Sequence, residues 1–486
     1  MLCHMAAIGL VCVLLPVPGI AQPHVPAWVG DAVFYQIFPE RFANGDPSND
    51  PRGVQPWGGQ PRNDNFFGGD LAGITEHLNH LQGLGITAIY LNPLFASPSN
   101  HKYNTTDYMR IDPSFGDDAT FRVLVDECHV RGIRVILDGV FNHTSVDFFA
   151  FADLRKRGER SVYRSWYNVV SFPIAPPETP NYECWWGYGT LPKLMTSDPS
   201  VRSYIYGVTR KWMSFGIDGW RLDVANEIPH DFWVAWRAVV KSINPDAYLC
   251  AEVWDNAAAW LNGNEFDATM NYRFRTAVLN GLVSRTTTLA SMDSALASQR
   301  GDYSPGVNHA LLNLLGSHDT ERILTAASGD SAAVRLATLL QFTYPGAPMV
   351  YYGDEFGMKG GKDPGCRGTM VWDRTEQDST AFRYLRSVIA LRRSHPVWSR
   401  GDFQTLVVDD ARRVYAYART GLGVRGVVVM NDGDGPSTVR IPSYKEHGMR
   451  CSEVWPLSGV PCPTSEGCLE ITVPARSGRV FLEVKE

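Results

Sequence analysis

The sequence predicts an α/β protein built on a (β/α)8 barrel, with a subdomain inserted after the third strand and an all-β sandwich at the C-terminus. Three observations carry this. Eight short apolar runs between residues 33 and 352 alternate with segments whose apolar residues recur at helical spacing. Gly85, Gly132 and Gly216 directly follow three of those segments, at the place where helices commonly end in a left-handed residue. Beyond about residue 400 the helical spacing gives way to short alternating runs separated by turn residues.

Taken in order, the chain opens with Met5–Val17, an apolar stretch shorter than the roughly 20 residues that span a bilayer. Gly19 and Ala21 supply small residues at the −3 and −1 positions of a cleavage site, so residues 1–21 are expected to be a signal peptide and the protein to be secreted or periplasmic. The barrel is expected over residues 28–143 and 200–398. Its strands are Val33–Phe38, Ala88–Asn92, Val135–Asp138, Gly219–Asp223, Tyr248–Glu252, Ala268–Tyr272, Leu311–Leu315 and Met349–Tyr352. Helical spacing marks Leu71–Leu84, Asp118–Arg131, Val201–Phe215, Asp231–Ile243 and Ala332–Phe342. An open doubly wound sheet would fit the same alternation, but no G-x-G-x-x-G follows the first strand. Residues 144–199 contain PIAPPETPNY and WWGYG and read as an irregular inserted subdomain, long enough to expect a function. Residues 400–486 read as a β-sandwich with strands such as Val414–Ala418, Gly426–Met430 and Arg479–Val484.

Composition narrows the function. The 486 residues carry a formal charge of −6, with 44 % hydrophobic and 20 % charged residues, which excludes disorder over most of the chain. No Lys/Arg-rich block suggests nucleic acid, and the one long apolar run is N-terminal and broken by Pro16, so neither nucleic acid nor membrane is an expected partner. With 14 Trp and 20 Tyr the chain suits a protein that stacks flat ligand faces, although a large core also uses aromatics. Of nine Cys, removal of Cys3 and Cys12 with the leader leaves an odd number. Cys462 and Cys468 are positioned to close a small disulfide loop near Cys451, whereas Cys128 and Cys250 read as inert core thiols. No C-x-x-C pair suggests zinc.

In such a barrel the C-terminal ends of the strands form the active face. Here they carry polar residues directly after apolar runs: Asp138, Asn142 and His143 in ILDGVFNH, Arg221 and Asp223 in GWRLDVANE, Glu252 in CAEVW, and His318 and Asp319 in LLGSHD. One such Asp can be only a helix cap, but four acids with His and Arg beside them point to a shared pocket. Several carboxylates around one pocket suit glycosidic bond cleavage, in which one acts as nucleophile and another, protonated, serves the leaving oxygen. Crowding raises the proton affinity of one of them. A metal cage is the rival use, and it would call for a tight Asp/Glu/His set rather than an Arg beside an Asp.

These four segments, in this order, resemble the four signature regions of the alpha-amylase superfamily of retaining glycosidases, and the resemblance runs from FYQIFPERF to the β tail. It implies Asp223 as nucleophile, Glu252 as general acid/base and Asp319 as the third carboxylate. Arg221 would keep Asp223 ionised, Asp138 would join the substrate-binding residues, His143 and His318 would hydrogen-bond the sugar, and Tyr103 of HKYNTTDY would be its stacking platform. VANE after Asp223, LPKL at Leu191–Leu194 and DPGCRGTMVWD at Asp363–Asp373 resemble the cyclomaltodextrinases, neopullulanases and maltogenic amylases, with Leu191 standing where Met is commoner. The resemblance implies action on cyclodextrins, pullulan, starch or maltooligosaccharides at α-1,4 and in some cases α-1,6 links. It places Asp363 and Arg367 on the non-reducing side and Glu227 and Trp254 on the leaving-group side. A transglycosylase on the same scaffold is the alternative, and a non-catalytic carbohydrate-binding protein the remoter one.

Asn44, Asp46, Asn49 and Asp50 crowd one turn-rich loop, NGDPSND, whose oxygens suit Ca²⁺. In the relatives this loop, with Gly68 and Asp70 of FFGGDL, holds a structural calcium, so the same set is expected to do so here. That subgroup typically carries an N-terminal β domain that builds a dimer. Here the first strand begins near Val33, so a monomer with a wider cleft is expected.

Overall fold

The computed structural model describes residues 25–443, 449–456, 464–465 and 467–485; the expected leader and Cys462 lie outside them. Eight parallel strands form the central sheet: β1 (Phe34–Ile37), β2 (Ala88–Leu91), β3 (Arg134–Gly139), β4 (Gly219–Leu222), β5 (Tyr248–Ala251), β6 (Ala268–Thr269), β7 (Leu312–Leu314) and β8 (Ala347–Tyr351). Their order is β6-β5-β4-β3-β2-β1-β8-β7. A single parallel bridge between Met270 and Leu312 joins the two ends, so the sheet closes into a barrel. The strands are buried on both faces, which is why they read as unbroken apolar runs.

Two elements differ from expectation. The helix foreseen over residues 71–84 is two, Leu71–Glu76 and Leu78–Leu84. His77 separates them: its Nδ1 takes the Gly73 carbonyl at 2.8 Å, and its backbone N–H turns to Ile74 O instead. The sixth strand stops at Thr269 because the Asn271 side chain accepts from the Phe274 N–H at 3.0 Å and starts the next helix, Tyr272–Val278. Gly85, Gly132 and Gly216 do take left-handed φ values, 101°, 70° and 90°. The insertion contains the helix Phe149–Arg157, several 3-10 turns and the antiparallel bridges Val169–Tyr182 and Cys184–Pro192.

The C-terminal residues form a five-stranded antiparallel sheet, β9 (Asp402–Asp409), β10 (Val414–Gly421), β11 (Val424–Asn431), β16 (Ser477–Lys485) and β13 (Met449–Trp455), facing a smaller one of β12 (Ser437–Pro442), β15 (Cys468–Val473) and β14 (Thr464–Ser465). Period-two alternation divides the two faces of β10 and β11. Val414, Ala416, Val427 and Val429 fill the sandwich, while Tyr415, Tyr417, Val428 and Met430 join the barrel's core. Arg419, fully buried at this junction, donates to the carbonyls of Thr343, Trp398 and Gly401. Burial pushes its guanidinium down to about 10.

The cysteine expectation is corrected in one respect. Cys468 carries a free thiol and Cys451 is disulfide-bonded, so the Cys462–Cys468 loop does not form. Sequence spacing cannot choose between connectivities that close loops of similar length. Cys128 and Cys250 are buried free thiols, each pushed up to about 12 by desolvation.

Close approach at β4 makes a direct test of the barrel. A Cβ on Gly219 would sit 2.1 Å from the Tyr248 carbonyl oxygen on β5, where backbone cannot yield. Gly219→Ala is expected to cost about 1–3 kcal/mol of stability by overpacking. Thermal or urea unfolding reads this, and an unchanged midpoint would contradict the strand pairing.

Candidate active site

The parallel register sets Asp138 of β3 directly beside Arg221 of β4, and Cys250 of β5 on Arg221's other side. Asp223 lies two residues past Arg221, on the same inward face. Arg221 Nη1 therefore donates to Asp138 Oδ1 at 2.9 Å and to Asp223 Oδ1 at 2.9 Å. Its Nη2 lies 2.9 Å from Glu252 Oε1, an ion-pair approach without hydrogen-bond alignment. Three carboxylates from three strand ends thus share one guanidinium that is almost fully buried.

Asp138 also accepts from Tyr90 at 2.5 Å and from Tyr103 at 2.8 Å, so it is saturated. Tyr103's hydroxyl is fully used as well. It donates to Asp138 and accepts from Asn92 Nδ2 at 2.9 Å and from His318 Nε2 at 2.7 Å. The Tyr103 and His318 rings are parallel to within 4° at 5.3 Å. His318 Nδ1 faces the amide nitrogen of Gln36 at 2.8 Å, which only donates, so the imidazole proton sits on Nε2. Burial, with Arg367 and Arg221 nearby, holds His318 well below the usual imidazole range. His143 is likewise depressed, to about 4, by burial, and its Nε2 is buried with no partner. Both rings are neutral near pH 7, and His143 keeps a free ring nitrogen for an incoming hydroxyl.

Glu252 Oε2 accepts from the Val224 N–H at 3.0 Å and Oε1 from the Trp254 indole at 3.1 Å. Val224 reaches this position in a left-handed conformation, φ 38° and ψ 48°, which a β-branched residue rarely adopts. The strain aims its N–H at Glu252. Trp254 is half exposed and lies flat on Tyr272, 3.7 Å between centroids and 4° between planes. Asp319 meets His318 Nε2 at 3.2 Å and Arg367 Nη2 at 3.3 Å.

Four carboxylates are thus gathered around Arg221 and Arg367. Asp319 is pushed up to about 7, first by burial and then by Glu252, against Arg367 and Arg221. Asp223 stands well above the usual carboxylate range, with burial the largest influence and Arg221 opposing it. Asp138 is raised too, by burial against Arg221. Asp138, Asp223 and Asp319 therefore hold their protons more tightly than ordinary aspartates.

The outer residues named from sequence occupy two places. Asp363 pairs with Arg367 Nη1 at 3.0 Å, while Arg367 Nε holds the His318 carbonyl at 2.8 Å. Arg367 is therefore the bracket that ties Asp363, His318 and Asp319 together. Glu227 accepts from the Trp186 indole at 2.8 Å and pairs with Lys193 at 3.3 Å. Sequence reasoning missed Trp185, Trp186, Tyr90, Asn92 and Gln36. WWGYG marked only an irregular insertion, and the other three read as ordinary strand residues.

The NGDPSND loop makes a second polar cluster. Asp70 accepts from the backbone of Gly45 at 3.1 Å and Asp46 at 2.8 Å and from Asn49 Nδ2 at 3.1 Å, and Asn44 Nδ2 donates to Asp50 at 2.8 Å. Asp46 turns its carboxylate to Ser48 at 3.0 Å. The amide oxygens of Asn44 and Asn49 are buried with no donor. Gly68 takes a left-handed φ of 84°, which favours glycine, and a Cβ there would press on the Asp50 and Asn44 side chains. Among the described residues no three His, Cys, Asp or Glu side chains are arranged to hold a metal ion by themselves. The oxygens this loop offers come in part from amides.

The model of the alpha amylase catalytic domain matches residues 36–403. Neopullulanase 2 of Thermoactinomyces vulgaris is 44 % identical over 459 residues, 94 % of this chain and 78 % of its own length. A cyclomaltodextrinase of a Bacillus species is 47 % identical over 435 residues, 89 % of this chain and 78 % of its own. The solved cyclic α-maltosyl-(1→6)-maltose hydrolase of Arthrobacter globiformis superposes with a TM-score of 0.87 at 40 % identity, covering 94 % of this chain and 99 % of that one. With four acids on the ends of its barrel strands and these relatives along nearly its whole length, the chain belongs to the alpha-amylase family of glycoside hydrolases.

Proposed function

We propose that Asp223, Glu252 and Asp319 carry a retaining double displacement at α-glucosidic bonds, with cyclodextrins, pullulan, starch or maltooligosaccharides as substrates. The observation that carries this is the shared Arg221 fork, which holds Asp223 and Glu252 side by side. A retaining pair stands close, about 5–5.5 Å between carboxyl groups, whereas an inverting pair leaves room for a water, and one guanidinium shared by both acids supports the close pair. Asp223 attacks the anomeric carbon while Glu252 gives its proton to the leaving oxygen. Glu252 then takes a proton from the water that releases the sugar. Asp319 and the neutral His143 bond hydroxyls of the distorted ring, while His318, expected to do the same, has both ring nitrogens engaged by Tyr103 and Gln36. Arg221 supports the nucleophile by opposing the burial that would keep Asp223 protonated.

Substrate assays and one variant test the reading together. The wild-type chain should release maltose and glucose from β-cyclodextrin or panose from pullulan, with the α-anomer formed first. Asp223→Asn should lower kcat by at least about 10³-fold, on the scale of other lost active-site groups, and should still bind substrate. Undiminished turnover would refute the nucleophile assignment.

The buried, partnerless amide oxygens of Asn44 and Asn49 support a calcium held by these two with Asp46, Asp50, Asp70 and the Gly68 carbonyl. When bound, the ion neutralises the loop's carboxylates and pins it beside the first strand. Removing calcium with EGTA is expected to lower the thermal midpoint by several degrees, reversed by Ca²⁺ and lost in Asn44→Ala. An unchanged midpoint would remove the metal from the account. Export belongs to the same proposal, supported by the leader-like residues 1–21 and by disulfide-bonded Cys451.

A further inference from the structure

The acids stand at the C-terminal ends of the strands. At the other end of the barrel, residues just before β1, β2 and β3 meet the corner that follows the helix Ser379–Ser394. A hollow of about 560 Å³ opens there, and Arg134, Arg392, Arg393, Arg400, His395 and Asp31 are among the residues that line it. Four guanidinium groups against one carboxylate concentrate positive charge, in a chain whose formal charge is −6. Their neighbours divide these cations into two kinds. Arg400 Nε pairs with Asp31 at 3.1 Å, and Arg134 pairs with Asp218 at 2.7 Å. Arg392 and Arg393 bond only backbone carbonyls among the described residues.

Arg392 is 2 % exposed. Its Nη2 donates to the carbonyls of Gly30 and Gly346, each at 2.7 Å, and its Nη1 to that of Phe342 at 3.1 Å. Gly30 and Phe342 lie in the last turns of their helices, where carbonyls favour a cation. Those bonds account for the two Nη groups and no more. Its Nε is buried with no acceptor. Burial, with Arg419 beside it, pushes the guanidinium down to about 9. A buried charge with no counter-ion is costly, so structure alone explains this arrangement poorly. Arg393 is exposed and makes one long bond, 3.4 Å to the Gly85 carbonyl. His395 Nδ1 accepts from the Val397 N–H at 3.0 Å, so its ring proton sits on Nε2 as a further donor.

We propose that this hollow is a binding site for a phosphate group, free or esterified to a small molecule. Two guanidinium charges without a carboxylate match the two charges of a phosphate dianion. A carboxylate ligand would leave one of them unmatched. Guanidinium forks also suit phosphate oxygens, which they bond in pairs. The hollow is wider than a phosphate ion needs, and Trp28 on its wall gives apolar surface to an attached group. Asp31 and residues 392–400 come from the two ends of the barrel segment, so a bound phosphate ties those ends together. Because the acids stand at the other end of the strands, the ion binds without competing with glucan.

The test titrates the full chain with inorganic phosphate at about pH 8, where the dianion dominates, with chloride holding the ionic strength constant. Calorimetry should show one saturable site per chain, and the thermal midpoint should rise with phosphate as that site fills. Arg393→Ala should weaken binding at least about tenfold, the scale of one lost hydrogen bond to a charged group, and Arg393→Lys should recover part of it. Excess maltose should leave the phosphate affinity unchanged. Glucose 6-phosphate separates the sources: tighter binding than inorganic phosphate assigns the site to an ester, and equal binding to the free ion. Neither a saturable heat nor a midpoint rise, an affinity indifferent to Arg393→Ala, or displacement by maltose would each overturn the proposal.

Discussion

The buried guanidinium of Arg221 is the constraint on which the rest of the site depends. Placing four carboxylates out of water at the mouth of one barrel is unfavourable unless a cation stands among them. Arg221 reaches three of the four and Arg367 reaches the last. Strand register makes this possible, because Asp138 and Arg221 are paired residues on adjacent parallel strands and Asp223 follows on the same face. Two cations among four acids leave the cluster short of positive charge. Burial first, and then the neighbouring acids that the two cations only partly offset, raise the proton affinity of Asp223 and Asp319, which suits a reaction that needs an acid and a base in one pocket.

Around this centre the neutral groups are held just as firmly. Tyr103, Asn92, Gln36 and His318 form one closed hydrogen-bonded set, with the donor direction fixed at each link by the Gln36 amide. The set ends on Asp138, which makes contact with Arg221. Val224 stores backbone strain to orient Glu252, and the surrounding strands, buried on both faces, can sustain it. The C-terminal sheet adds to this rigidity from outside, since one face of β10 and β11 is continuous with the barrel's core.

Much of this was legible in the sequence because barrel strands buried on both faces leave unmistakable apolar runs, and because polar residues at their ends have no structural reason to cluster. All eight strands coincide with expected runs, although Arg134–Gly139 and Ala347–Tyr351 begin before theirs, and the four acids come together as anticipated. What escaped has definite causes. His77 splits a helix through a side-chain bond that helical spacing does not register. Trp186 and Trp185 lie in an insertion without periodicity, so their stacking appears only in three dimensions. The contacts of Arg367 with Asp319 and His318 join segments far apart in sequence, so spacing gives no sign of them.

The claim that Arg221 and Arg367 leave the four acids short of positive charge is open to direct measurement. A ¹³C NMR titration of the protein labelled at aspartate carboxyl carbons, compared with Asp319→Asn to assign that residue, follows each acid through its protonation. The expected result is an Asp319 transition at about 7, with Asp223 also well above the ordinary aspartate value. If every aspartate instead titrates near 4, the cluster holds no extra proton and the electrostatic account of the site is wrong.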